Sequence, residues 1–279
     1  MAVRQFKLQN ALGNTFDLMR RDAFFYLPDG LGFRMDSQFM QIGGQYQLIE
    51  TESAQKAPSG VMVFSSYSVY QEFAKFISYT PLRLMYKPIS EWYYLDCIVS
   101  SLSKGEIDYR DNRLKCSIDF TATSKWYVPR VAYRTAVETV DAKQYTYQYN
   151  YTYADAINGI IDIVNNSTED SPLVITILGD ITDPAWALIV NNKTVQSGSI
   201  TGNIPNGHKL VINAKDNELQ IAEFVTSTNA FVANRYQDSD FTKDNFIYAP
   251  VGSSTLRIAG NVSQTIDAFV EIEEIHETV

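Results

Sequence analysis

Histidine and cysteine, the side chains behind most metal sites and many nucleophile–base pairs, are nearly missing from this sequence. Its 279 residues hold only His208, His276, Cys97 and Cys116. Neither histidine has cysteines or carboxylates at metal-ligand spacing. His208 follows the turn Asn206-Gly207 and reads as a solvated side chain, while His276 lies in the acidic stretch Glu271–Val279. The glycine motifs of phosphate and dinucleotide sites are absent, as is G-x-S-x-G. Gly30-Leu31-Gly32 lacks the strand–helix context a phosphate loop needs. Glu271, Glu273 and Glu274 crowd a charged terminus, where solvation is the expected state and an acid–base dyad is not. No catalytic, cofactor-binding or metal-binding residue is nominated, and no enzyme activity or cofactor is expected.

Long apolar runs are lacking too. No stretch of about 18 apolar residues occurs, so no transmembrane helix and no membrane partner are expected. Met1–Lys7 lacks the apolar core of a signal peptide, which makes folding in a cytoplasm the default. In that compartment Cys97 and Cys116, on segments read as two arms of a hairpin, are expected as buried free thiols.

What the sequence has is aromatic residues and strand patterns. Its 18 Tyr and 15 Phe favour β-structure. Val3–Leu8, Thr15–Met19, Gln38–Glu50 (broken at Gly43-Gly44), Gly60–Ser65, Leu82–Tyr86, Trp92–Ser101 and Leu114–Ala122 read as strands. Thr51–Ser59 has almost nothing to bury and reads as an exposed loop. In Tyr67–Tyr79 the residues Val69, Phe73, Phe76 and Ile77 form one helical stripe, and Ser68 with Gln71 fits a capping box. That stripe reads as core. Pro81 should stop the helix, and Pro129 should break pairing after Lys125–Val128.

Charge divides the chain. Met1–Thr135 holds 16 Lys and Arg against 13 Asp and Glu, and Ala136–Val279 holds 7 against 19. The first part is thus +3 and the second −12, which predicts a boundary near Arg130–Val140 and argues against nucleic-acid grip by the second part. The predicted domains are 1–135 and 136–279, with 136–170 a linker or extension. From Ser171 onward, short strands at spacings of roughly 8–15 residues predict a β-sandwich. Asp183-Pro184, Asn206-Gly207 and Asp216-Asn217 read as its turns, with Asn-Gly as the hairpin signal.

The order of these segments resembles the distal tail proteins of long-tailed phages of Gram-positive bacteria. The resemblance rests on Pro28-Asp29-Gly30-Leu31-Gly32-Phe33, Gly44–Leu48, the helix, Leu82–Pro88 and Ser124-Lys125-Trp126-Tyr127, where that family often has Pro in place of Lys125. It continues in Pro172–Leu188, Val251–Ile258 and Phe269–Ile272. It implies a mainly β protein: an N-terminal belt domain with one α-helix, then a galectin-like β-sandwich. It also implies a hexameric ring at the tail tip. The ring would join tail tube protein to tail-tip hub protein, pass DNA through its channel without specific binding and offer the sandwich to receptor-binding proteins.

On that reading Gly44–Pro58 is expected to reach the neighbouring subunit, and Gln45, Gln47, Glu50, Glu52, Gln55 and Lys56 are the ring-interface candidates. Two rival classes stand beside it. A carbohydrate-binding adhesion module would use Trp186 as a sugar platform, although burial is the favoured reading of that residue. A wall-cleaving tail enzyme would need carboxylates that no motif identifies.

Overall fold

The computed structural model describes residues 4–108, 110, 112–134, 136–138, 158–216, 218–262 and 266–279. The Tyr/Gln/Thr-rich stretch 143–153 lies outside them. The chain divides into two compact units, Met1–Val128 with Ile275–Val279, and Pro129–Glu274. As expected, it is mainly β with one α-helix among the described residues and a sandwich in the second unit.

In the first unit seven strands pair antiparallel in the order Thr15–Asp17, Gln5–Gln9, Leu82–Lys87, Tyr93–Leu102, Arg113–Ala122, Ser59–Phe64, Ala23–Asp29. A bridge between Met19 and Phe24, with Phe25 N–H donating to Leu18 O at 2.8 Å, leads the last strand back to the first. The sheet therefore closes on itself, which leaves few open edges. Alternation does the filling: Phe6 and Leu8, Leu82 and Leu84, Leu95 and Cys97, and Leu114, Cys116, Ile118 and Phe120 all point inward and are buried.

The helix runs Tyr67–Ile77. Phe73 is fully buried and meets Phe16 and Phe64 at ring distances of 5.1 and 5.4 Å, while Val69, Phe76 and Ile77 pack partly buried on the same core. The cap differs from expectation. Ser66, extended at φ −161 and ψ 165, accepts from Val69 N–H at 3.4 Å, and Ser68 is already inside the first turn. An N-cap needs that extended backbone, and Ser68 has lost it.

Two further expectations fail here. Thr51–Ser53 continue a strand, and Ala54, Lys56 and Pro58 beyond them are buried, so Thr51–Ser59 is not an exposed loop. Pro129 does not end a strand, since Trp126–Arg134 runs through it. A proline removes one donor, and a strand tolerates it where that donor has no ladder partner. The polar link Lys104–Arg113 contains the short strand Ile107–Asp108, paired with Arg113 and Leu114.

In the second unit one sheet orders Ala268–His276, Ser171–Leu178, His208–Asn213, Gln220–Val225 and Phe231–Asn234. The other orders Ala136–Glu138, Asn158–Asn165, Gly252–Asn261, Ile181–Val190 and Lys193–Ser199. Leu173, Ile175, Ile177, Leu210, Ile212, Val270 and Ile272 from the first meet Ile161, Ile163, Trp186, Leu188, Leu256 and Ile258 from the second in a single buried cluster. Two inward-facing sets of this kind are what holds a sandwich together.

Part of the stretch expected as a linker or extension is strand. Asn158–Asn165 pairs along its length with Gly252–Asn261, burying Ile161 and Ile163 while Asp162 and Val164 face out. Strand Phe231–Asn234 had no signal strong enough to be read. Asn206-Gly207 does turn, with Gly207 at φ +82, but it makes no hairpin. Asn203–Ile204 pairs in one sheet and His208–Asn213 in the other. The two-residue hairpin turn is Asn191-Asn192, at φ +50 and +63, beside the pair Val190–Lys193. Asp183-Pro184 is a kink inside Ile181–Val190, where the register shifts and Asp183 takes φ +50.

Candidate functional site

Between Gly32 and Ala54 the chain leaves the barrel as a separate two-stranded sheet, Met35–Ile42 with Gln45–Ser53, turned at Gly43, φ +63. Every residue of it but Ser53 is exposed. A lone hairpin is marginal in water because it has nothing to bury its side chains against. This one nevertheless carries Phe39, Tyr46, Leu48 and Ile49 at 58%, 72%, 52% and 59% exposure.

The register sorts these residues into two faces. Directly paired residues share a face, and the pairs are Met35–Ser53, Ser37–Thr51, Phe39–Leu48 and Gln41–Tyr46 on one side. On the other they are Asp36–Glu52, Gln38–Glu50, Met40–Gln47 and Ile42–Gln45. Ile49 falls at the shift between the two registers. One face is thus aromatic and aliphatic, closed at its root by the Ser37–Thr51 hydroxyl contact at 3.2 Å. The opposite face is rich in glutamine and carboxylate and carries Met40 and Ile42, also exposed, toward the turn. Large apolar side chains clustered on a projecting element and left in water mark an interaction surface.

Of the six nominated interface residues, the fold brings Gln45, Gln47, Glu50 and Glu52 together on the polar face. The other two stand at the root. Gln55 is exposed and its amide donates to Ala122 O at 2.7 Å. Lys56 is buried, its ammonium 3.3 Å from Glu277 and 3.3 Å from Gly32 O, so it serves the protein's own fold. Phe39, Tyr46 and Leu48 were not nominated. Their signal was the period-two alternation Gln45-Tyr46-Gln47-Leu48, which has an apolar side as plainly as a polar one.

Trp186 lies in the sandwich core, 1% exposed, its indole N–H donating to Asn245 O at 2.9 Å. Its ring presses on Gly198, where an added Cβ would sit 2.4 Å away. No face of it is open to stack on a sugar.

His208 is not the solvated group expected. His208 opens a strand and pairs through Nδ1 with buried Glu223, which also accepts from Arg235 Nε at 2.8 Å. Arg235 in turn reaches Asp238 at 3.1 Å. Burial works against charge on Glu223, yet the His208 and Arg235 hydrogen bonds outweigh it and hold the carboxyl below its ordinary range. The ring of His276 meets Tyr93 edge-on at 5.3 Å. Nor is the glutamate stretch uniformly solvated. Glu274 is buried and accepts from Arg130 Nε at 2.7 Å and from Asn166 N and Nδ2 at 3.1 Å each, while Glu273 pairs with Lys215.

Both thiols are free and buried, as expected. Cys97 lies opposite Ala122 and Cys116 opposite Met62. Cys116 and Ala122 are six residues apart on one strand, or about 20 Å at about 3.3 Å per residue, far beyond disulfide reach. Burial raises the Cys97 thiol to about 12 and moves Cys116 in the same direction.

Residues 5–123 match the model of the distal tail protein N-terminal domain. The first unit is a distal tail protein N-terminal domain. No curated protein sequence matches the chain. Among solved structures, a chain of the phage P2 baseplate in its activated conformation with calcium superposes over 99% of this chain and 100% of its own, with TM-score 0.68 and 16% identity. The Dit protein of SPP1, described as a paradigm of the hub adsorption apparatus in phages infecting Gram-positive bacteria, covers 96% of this chain and 98% of its own, with TM-score 0.63 and 10% identity. At those identities the likeness is one of fold, and it extends over both units of the chain.

Proposed function

We propose that the protein is a structural component of a phage tail tip, made in the host cytoplasm and built into the virion as a ring. The exposed hairpin carries this reading. A projecting two-stranded sheet with one apolar face, belonging to a domain of this family, fits a joint between copies of the same chain. Such a joint is heterologous, since hairpin meets barrel, and a heterologous joint whose rotation closes gives a ring. Six copies are the number proposed, with 1–135 as the belt and 136–279 as a galectin-like sandwich outside it.

In that ring the apolar face of the hairpin, Phe39, Tyr46 and Leu48, lies against the neighbour. The polar face, Gln45, Gln47, Glu50 and Glu52, supplies the rim. One side of the ring meets the tail tube protein and the other the tail-tip hub protein, and the sandwich offers anchorage to receptor-binding proteins. DNA passes the channel without specific binding, in keeping with a first part whose net charge is only +3. The work is assembly, and no catalytic step is assigned. The likeness of the whole chain to a phage P2 baseplate chain and to SPP1 Dit supports the reading.

The test is the solution mass of the purified chain by light scattering across a wide concentration range, followed by imaging. A closed hexamer with a central hole is expected. A chain that stays monomeric at every concentration, alone and with tube and hub proteins added, overturns the ring.

A further inference from the structure

Among the described residues nothing covers the hairpin, so what sets its direction is sought at its root. On the entering side the chain turns at Gly30, whose φ is +74 and where a Cβ would lie 2.7 Å from Ala57 O. On the leaving side Lys56 and Pro58 are stitched to the barrel strand Arg113–Ala122. Ala122 N–H donates to Lys56 O at 3.0 Å and Phe120 N–H to Pro58 O at 2.8 Å. Ala54 N–H donates to Arg34 O at 3.1 Å and holds the two arms together.

One side chain from far along the sequence enters this root. The carboxylate of Glu277 accepts from Ser53 Oγ at 2.7 Å through Oε2, and the same oxygen lies 3.3 Å from Lys56 Nζ. Its other oxygen lies 3.0 Å from Lys125 Nζ. Ser53 is the last residue of the hairpin, Lys56 its anchor and Lys125 part of the barrel wall's continuation. The Lys56 side chain is 3% exposed and that of Glu277 12%, so the pair works where water screens little. Val279, two residues further on, packs against the barrel core and holds the segment in place.

We propose that Glu277 is a positioning residue for the hairpin: a latch from the segment Ile275–Val279 that fixes the angle at which the hairpin leaves the barrel, and through it the readiness of the chain to assemble. The assembly half rests on the ring reading above, and the latch half does not. Side-chain geometry supports the role. Ser53 and Lys56 flank the exit of the hairpin, and a single carboxylate ties both to Lys125. Without it, Lys56 keeps one carbonyl contact, to Gly32, and Ser53 Oγ loses the carboxylate it donates to. The latch residue also follows directly on the strand Ala268–His276, most of which belongs to the second unit.

The experiment measures full-length protein with Glu277→Gln and Glu277→Asp, by amide hydrogen exchange of residues 35–54 in dilute, unassembled samples, and by light scattering against concentration. Because Glu277→Gln leaves the Lys56 charge buried, the pair Lys56→Met with Glu277→Gln is measured beside it. Exchange over the hairpin and at Ala54 should rise at least tenfold in Glu277→Gln and in the double variant, with barrel strands Leu82–Lys87 and Tyr93–Leu102 unchanged. Glu277→Asp should recover part of the protection. The concentration for assembly should rise at least tenfold in parallel. Exchange within twofold of the wild type in the double variant overturns the latch. Fast exchange with an unchanged assembly concentration overturns its role in assembly. Fast exchange in a chain that never assembles, even unmutated, upholds the latch and counts against the ring alone.

Discussion

Replacing Phe39 and Tyr46 with serine tests the docking surface directly. The two side chains are 58% and 72% exposed. An aromatic side chain offers about 200 Å², so together they leave about 260 Å² open to a partner. At about 25 cal/mol per Å² full coverage is worth about 6.5 kcal/mol, an upper bound because association also orders the groups it covers. A truncated aromatic anchor at an interface commonly costs about 2–4 kcal/mol, which is about a 30- to 1,000-fold rise in the concentration needed for association. Light scattering over a dilution series reads that rise. Gln45→Ala with Gln47→Ala, on the opposite face, should cost less than about 1 kcal/mol. Neither pair lies in the barrel core, so thermal unfolding of the first unit should stay within about 2 °C of the wild type, the scale of surface changes. If the serine variant assembles at the wild-type concentration, or if the glutamine pair has the larger effect, the assignment of faces is refuted.

Other outcomes follow from the interior. Trp186→Ala should destabilise the sandwich by about 4 kcal/mol, from the emptied core volume and the orphaned Asn245 carbonyl; calorimetry showing a loss under about 1 kcal/mol would contradict the core assignment. Gly30→Ala should disturb the hairpin root through both positive φ and the 2.7 Å approach to Ala57 O, seen as faster exchange at Ala54. Cys97 and Cys116 should resist alkylation at neutral pH in the native state and react at once on denaturation, since burial keeps both protonated. The Glu223 cluster gives a pH dependence. A carboxyl lowered in the folded state stabilises above its unfolded value, near 4.5, and that contribution is lost as pH falls through the folded value. The sandwich should therefore weaken in acid, and Glu223→Gln should flatten that part of the stability–pH curve; an unchanged curve would remove Glu223 as its source.

Strand and helix were legible wherever one side chain in two, or one stripe in four, had to meet a core. Val69, Phe73, Phe76 and Ile77 announced the helix, and Ile118, Phe120 and Ala122 announced their strand, because local periodicity is all those elements require. The β class and the order of segments came from the same source, as did the scarcity of histidine and cysteine. Tertiary structure decided what depends on partners distant in sequence. Asn206-Gly207 turns as its residues demand, but only the two sheets determine that its flanking strands separate. His208 and Glu274 looked solvated because Glu223 and Arg130, which hold them, lie 15 and 144 positions away. The hairpin's alternation was visible in the sequence, yet nothing local says that both its faces stand in water, since exposure is a property of what fails to pack. Lys56 shows the converse: nothing in Ala54–Pro58 announces a buried ammonium, and it is Glu277, arriving from far along the chain, together with the Gly32 carbonyl, that makes its burial tolerable.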